Sequence, residues 1–226
     1  MTESGAHGVQ TLSQAFVNSC NTTFAALSQE LSYSMLGATA EAFGFNENFM
    51  FEDLILYNSS YPIDDLSAED LAWSSIGQGR VLATPLHMCL VACAIANNGV
   101  MPEPKLLSAV TTGQGAQRQI PRSSAGRQVV SPQIAAEIEE DMIRVVRSGT
   151  GTRAALDGGY VVAGKTGSAE VEGADGVSAH AWFVGYITNE NSPYAVSVVV
   201  EHGGSGGSVA APLARKALQR AVNLGL

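Results

Sequence analysis

Positive charge is scarce in this chain. Its 226 residues hold 12 Lys and Arg against 21 Asp and Glu, for a formal net charge of −9. No basic cluster breaks that acidity, which argues against nucleic-acid binding, since that affinity rests on neutralising phosphates with Lys and Arg. Long apolar runs are missing too. The longest, Met88 to Ala96, falls far short of the roughly 18 to 20 residues needed to span a bilayer. The first eight residues carry no charged segment followed by an apolar stretch, so they do not read as a signal peptide, and the chain as given is expected to be soluble. Cysteine is also rare. Cys20, Cys89 and Cys93 make no disulfide framework, and Cys89 and Cys93, four apart on one predicted helix, read as small buried thiols. His87 lies near them, but no Cys-x-x-Cys or His-Glu-x-x-His spacing supports a metal, and neither metal nor cofactor is expected.

What is present is a globular composition, 46% hydrophobic and 15% charged, long enough for a substantial core. The first two-thirds carry helical periodicity. Apolar positions recur over 11–18 and 22–33, with a break at Ser19-Cys20-Asn21. Thr84-Pro85 and Ser131-Pro132 each pair a capping hydroxyl with proline at the first helical position. The first of these helices is predicted to present Leu86, Cys89, Leu90 and Cys93 on one face and to stop at Asn97-Asn98-Gly99. The second is predicted to bury Ile134, Ile138, Met142 and Val145, with Glu137 to Asp141 preceding Arg144 and Arg147 as the helix dipole favours. Residues 100–130 read as an extended connection with a weak turn at Gly113-Gln114-Gly115.

From Gly159 the pattern changes. Runs 160–172, 177–187 and 193–201 are rich in Val, Ile, Tyr and Phe and are joined by short polar turns, the signature of an antiparallel meander. A last segment, with Ala210, Leu213, Ala217, Leu218 and Ala221 on one face, is predicted to pack on that sheet as a helix. The fold class is therefore α+β.

Two stretches carry chemistry. Ser19-Cys20-Asn21 sits in a helix break, where a hydroxyl relays protons and an amide both donates and accepts hydrogen bonds. Taken alone, the triplet favours a plain helix cap. Lys165-Thr166-Gly167-Ser168 ends an apolar run on a strand edge. Thr166 and Ser168 alternate around Gly167 and share a face, and a glycine there lets a ligand backbone lie close. The arrangement suits an anionic, peptide-like ligand that adds to the sheet edge, although so short a triplet also fits a strand carrying a solvated lysine.

Together, Ser-Cys-Asn at 19–21 and Lys-Thr-Gly at 165–167 match two of the three signatures of penicillin-binding proteins and class A β-lactamases, in the right order. The stretches AFVNSCNTTFAALSQEL, SSIGQGRVLATPLHMCLVACAIANNGVMPEPKLL, GTGTRAAL, VAGKTGSAE and HAWFVGY extend the likeness over nearly the whole chain. The sequence resembles the transpeptidase domain of class B penicillin-binding proteins. The resemblance implies a helical lobe over about 1–150 packed on an antiparallel sheet lobe over about 155–226, with three of the family's five strands. It implies a serine acyl-enzyme acting on D-Ala-D-Ala stem peptides of peptidoglycan, with β-lactams as mimics of that dipeptide. Ser19 would relay a proton, and Asn21 would orient the substrate and the active-site lysine. Lys165 would steady the anionic end of the ligand and tune Ser19. Thr166 and Ser168 would bind its carboxylate beside Gly167, and the Ser168 N–H would form half of the oxyanion hole. A partner glycosyltransferase and an extracytoplasmic location at the cell membrane come with the family.

One family motif is not found. The three lysines, Lys105, Lys165 and Lys216, are preceded three positions earlier by Pro102, Val162 and Leu213, so no Ser-x-x-Lys occurs. Only 18 residues precede Ser19. The chain is therefore expected to be the C-terminal part of such a domain, unable to acylate by itself, weakly stable or self-associating. A β-lactamase, a β-lactam sensor and a non-catalytic stem-peptide-binding remnant are the alternatives. GQGRVLATPLHM and AIANNGVMPEP favour the transpeptidase over the first two.

Overall fold

Local chemistry starts most of the helices. The computed structural model describes residues 7–48, 56–64, 66–107, 109–119, 126–173, 176–190 and 193–225. Helix α1 (Leu12–Val17) opens on a capping box between Thr11 and Gln14. Helices α2 (Asn21–Glu30) and α3 (Tyr33–Ala42) follow, and α4 (Ala68–Ser75) has its own capping box between Ser67 and Asp70. Thr84 caps α5 (Pro85–Ala96) and Ser131 caps α6 (Pro132–Ser148), each with proline in the first turn as predicted. The apolar run over 22–33 is thus two helices, because Leu31 turns extended and Ser32 caps a new start.

Between α5 and α6 the chain forms two small antiparallel pairs, β1 (Val100–Met101) with β4 (Arg127–Gln128) and β2 (Ala109–Thr111) with β3 (Gln117–Gln119). The turn expected at Gly113-Gln114-Gly115 lies inside the second pair. The main sheet is an antiparallel meander in the order β5-β6-β7: β5 (Val162–Gly173), β6 (Gly176–Ile187) and β7 (Ala195–Val200). Helix α7 (Ala210–Leu224) packs on one side, where Phe183, Ala181 and Val162 join Ala210, Ala211, Ala214 and Leu218 in one core cluster. On the other side Ala163 and Tyr186 meet Ala92, Ile95 and Met142 from α5 and α6, and the Tyr186 hydroxyl donates to Glu139 at 2.8 Å.

Three predicted helix faces are rotated. In α5 the buried positions are His87, Leu90, Ala92, Ala94 and Ile95, while Leu86 is exposed and both cysteines are half-buried. In α6 Ala135 is buried and Ile134 exposed; Met142 and Val145 are buried as expected. In α7 Ala214 replaces Leu213 and Ala217 on the sheet side. In each helix alanines (Ala92 and Ala94, Ala135, Ala214) join larger residues such as Leu90, Met142 and Leu218 in the buried line, because a small side chain lets a helix approach its neighbour closely.

Candidate active site

Ser19 sits in a Schellman turn. Its N–H donates to Phe16 O at 3.1 Å and the Cys20 N–H to Ala15 O at 2.9 Å, the two bonds that close the C-terminus of α1. That position normally takes glycine, and Ser19 occupies it at φ +54°. Cys20 then becomes the cap residue of α2 in extended conformation, without a side-chain cap bond, and Asn21 is the first residue of the helix. The triplet is therefore a hinge between two helices whose serine side chain points elsewhere.

It points to β5. Lys165 Nζ donates to Ser19 Oγ at 2.8 Å and to Thr166 O at 3.1 Å, and lies 5.7 Å from the Phe16 ring centre. Burial pushes the Lys165 amine down to about 8. An amine so placed stays mostly charged at pH 7 but gives up its proton more readily than an ordinary lysine. Cys20 is buried, and hydroxyls of Thr22 and Thr23 at 3.2 and 3.3 Å from its sulfur pull its thiol down to about 6 against the effect of burial.

Register sets which groups of β5 face outward. Thr188 N donates to Val161 O, so residues 161, 163, 165, 167 and 169 point their main-chain groups at β6, and Thr166 and Ser168 point theirs away. The Gln78 amide confirms this by donating to Ser168 O at 3.1 Å from the Gly77–Gly79 turn. The Ser168 N–H thus lies on the free edge, as an oxyanion donor requires. Lys165, Gly167 and Ala169 share the other sheet face with Val184, Trp182 and His180. A Cβ at Gly167 would meet Trp182 Cβ at 3.2 Å, so the glycine makes room for that ring.

A cleft of about 660 Å³ runs along this strand, lined by Lys165, Trp182 and His180 on the sheet side and by Phe45, Ile76 and Met88 on the helical side. Comparison with known proteins gives the cleft its context. The profile described as penicillin binding protein transpeptidase domain matches residues 2–219. The chain belongs to that family. The peptidoglycan D,D-transpeptidase PbpA of Mycolicibacterium smegmatis is 34% identical over 95% of this chain and 44% of its own length. The crystal structure of PBPA from Mycobacterium tuberculosis is 32% identical, with a TM-score of 0.85, over 96% of this chain and 53% of that one. A ceftriaxone acyl-enzyme complex of the same M. tuberculosis protein gives 33% and 0.85 over 96% and 49%. The chain thus spans about half the length of these penicillin-binding proteins or less.

Of the six residues singled out from sequence, Ser19 and Lys165 are brought into direct contact. Asn21 is exposed, and among the described residues its amide makes no hydrogen bond. Thr166 and Ser168 face the side opposite Lys165 and are engaged: Thr166 Oγ1 with Thr150 Oγ1 at 2.6 Å, and Ser168 Oγ as acceptor for Gly206 N–H at 3.1 Å. Gln78, Thr150 and Gly206 were missed as contributors. They lie in GQGRVLATPLHM, in GTGTRAAL and in a Gly-Gly-Ser-Gly-Gly run, segments whose contacts with β5 are long-range and leave no local pattern. His87 turns away from the two α5 cysteines; its Nε2 meets Phe43 O at 2.8 Å and its ring packs on Phe45. Among the described residues no three His, Cys, Asp or Glu side chains converge as a metal site, and no helix is long and apolar enough to cross a membrane.

Proposed function

We propose that this chain supplies the ligand-gripping part of a penicillin-binding D,D-transpeptidase of peptidoglycan cross-linking. The observation that carries the reading is the 2.8 Å bond from Lys165 Nζ to Ser19 Oγ, which joins the cleft-lining lysine of the strand to the hinge as one proton-sharing pair. In the reaction a serine oxygen attacks the penultimate D-Ala carbonyl carbon of a stem peptide. The peptide C–N bond breaks, the terminal D-Ala leaves with a proton, and an acceptor amine later displaces the serine ester. Ser19 relays that proton to or from the buried Lys165 amine, and Asn21 turns its amide toward substrate. Thr166 and Ser168 exchange Thr150 and Gly206 for the ligand carboxylate, Gly167 allows close approach, and the outward Ser168 N–H holds the oxyanion. β-Lactams enter as mimics of the same dipeptide, a reading supported by the acyl-enzyme complex of the M. tuberculosis relative.

The attacking serine of a Ser-x-x-Lys is not among these 226 residues, so the chain by itself binds without acylating. The helical part over about 1–150 and the sheet part over about 155–226 make up one partial transpeptidase domain. The whole protein would work on the outer face of the membrane beside a glycosyltransferase. Intact-mass measurement after incubation with benzylpenicillin tests this. The mass of the 226-residue chain is expected to stay unchanged, whereas a version extended through an in-frame Ser-x-x-Lys gains one penicilloyl group. An adduct on any serine of the short chain would overturn the assignment.

A further inference from the structure

Several polar side chains of the cleft take no part in the chemistry above, and His180 is one of them. His180 stands opposite Ala169 on the sheet face that carries Lys165, Gly167 and Trp182, and its ring lines the cleft. Behind it the chain turns out of β7 and folds back on β6, with Gly203 N–H on Val200 O at 3.1 Å and Gly204 N–H on Ala179 O at 2.8 Å. In that turn His202 adopts φ +53°, a left-handed conformation uncommon outside glycine but one that His enters more readily than most residues. The conformation aims the His202 main-chain N–H at His180 Nδ1, 3.0 Å away. The His202 ring stands edge-on to the His180 ring at 5.0 Å and 75°, and its own Nδ1 is tied to Ser178 Oγ at 2.6 Å.

An N–H donor aimed at Nδ1 requires a lone pair there, so the neutral His180 ring carries its hydrogen on Nε2. That same arrangement excludes His180 as a metal ligand through Nε2. Among the described residues the Nε2–H has no hydrogen-bond partner. We propose that His180 is a fixed hydrogen-bond donor to the ligand, held in the Nε2–H tautomer by the main chain of His202, which acts as its positioning residue. This rests on the cleft being the acyl-peptide site.

Geometry narrows what His180 meets. A peptide added to the free edge of β5 lies one strand spacing, roughly 4.8 Å, beyond β5, and His180 stands on β6, one spacing inside. It reaches over the cleft face rather than to the main chain of such a ligand. Its partner is therefore an acceptor on a side group of the ligand, a carboxylate or carbonyl, which makes His180 a reader of the side group rather than of the D-Ala-D-Ala terminus.

Two penicillins that differ by one side-chain carboxylate, carbenicillin and benzylpenicillin, test this by NMR titration of the histidine-15N-labelled chain. The expected result is an Nε2–H tautomer in the free protein, and roughly fivefold tighter binding of carbenicillin, with a shift of the His180 Nε2–H resonance. His180→Phe is expected to bring the two to equal affinity, and His180→Gln, which restores a donor of similar reach, to retain the preference. An Nδ1–H tautomer, equal affinities in the wild type, or a preference that survives His180→Phe would each overturn the inference alone. Binding of neither penicillin would overturn the acyl-peptide reading of the cleft, and this inference with it.

Discussion

Lys165 Nζ lies 2.8 Å from Ser19 Oγ, a bond between residues 146 positions apart that joins the β5 strand to the turn between α1 and α2. The serine reaches the lysine from a left-handed backbone at φ +54°, in a Schellman turn closed by Phe16 and Ala15. Glycine is the residue that such a turn favours, and an L-residue there costs about 1 kcal/mol. Strain of this kind persists where the surrounding structure holds it in place, here the two turn bonds and the bond from Lys165.

That gives a paired prediction. Ser19→Ala removes the hydroxyl and keeps the strain, whereas Ser19→Gly removes both. Ser19→Gly is expected to be the more stable of the two by about 1 kcal/mol, read from urea midpoints at constant m. Equal midpoints would mean that the turn stores no strain.

Lys165 carries a pH signature. Its amine is ordinarily near 10.5 and is pushed down to about 8 by burial. Between those values the unfolded chain binds more protons than the folded one, so folding stability rises with pH across that window. Below about 8 the burial penalty is fully present, with a ceiling on the order of 3 kcal/mol. Lys165→Met never pays it. The stability advantage of Lys165→Met over wild type is therefore expected to shrink from pH 7 to pH 10, measured as the difference in urea midpoints. A difference that stays constant with pH would place the amine at its ordinary value.

Much of this was legible in the sequence, for local reasons. Thr84-Pro85 and Ser131-Pro132 announce helix starts because cap and proline act within one turn, and the Val-rich runs separated by polar turns announce the meander. The break between α2 and α3 was hidden because Leu31 is an ordinary helix former, and only its extended backbone ends the helix. The face of α7 was misread because Leu213 is more hydrophobic than Ala214, yet Ala214 packs on the sheet with Ala210, Ala211 and Leu218 while Leu213 is exposed. Within the site, Ser19 and Lys165 carry recognisable motifs. Gly206 and Gln78 act on Ser168 through contacts across 38 and 90 positions, which no local spacing encodes.

Gly206 illustrates how tightly that unseen loop is fitted. A Cβ at this position would come within 2.2 Å of Gly167 O and 2.3 Å of Trp182 O, both main-chain atoms of the sheet. Neither atom can move without opening the β5–β6 ladder. Gly206→Ala is expected to destabilise by roughly 2–4 kcal/mol and to release Ser168 Oγ from the Gly206 N–H. Thermal or urea denaturation checks the first effect, and the Gly206 amide exchange rate in a milder loop variant, Ser205→Gly, provides the reference. A near-wild-type midpoint for Gly206→Ala would show that the loop has room to lift away.

The last prediction concerns β7, which among the described residues pairs with β6 alone. Ile187 N–H donates to Tyr194 O, so residues 196, 198 and 200 turn their main-chain groups toward β6, and Ser197 and Val199 turn theirs outward. A valine-rich edge with free N–H and C=O groups is a template for pairing with a second chain. The 226-residue chain is expected to associate as concentration rises, seen as increasing weight-average mass in sedimentation equilibrium. Val199→Pro removes an outward N–H and none of the bonds to β6, so it is expected to suppress association while the sheet persists in far-UV circular dichroism. Association undiminished by Val199→Pro would shift the contact to another surface, and a monomer at all concentrations would mean that this edge is protected by its own chain.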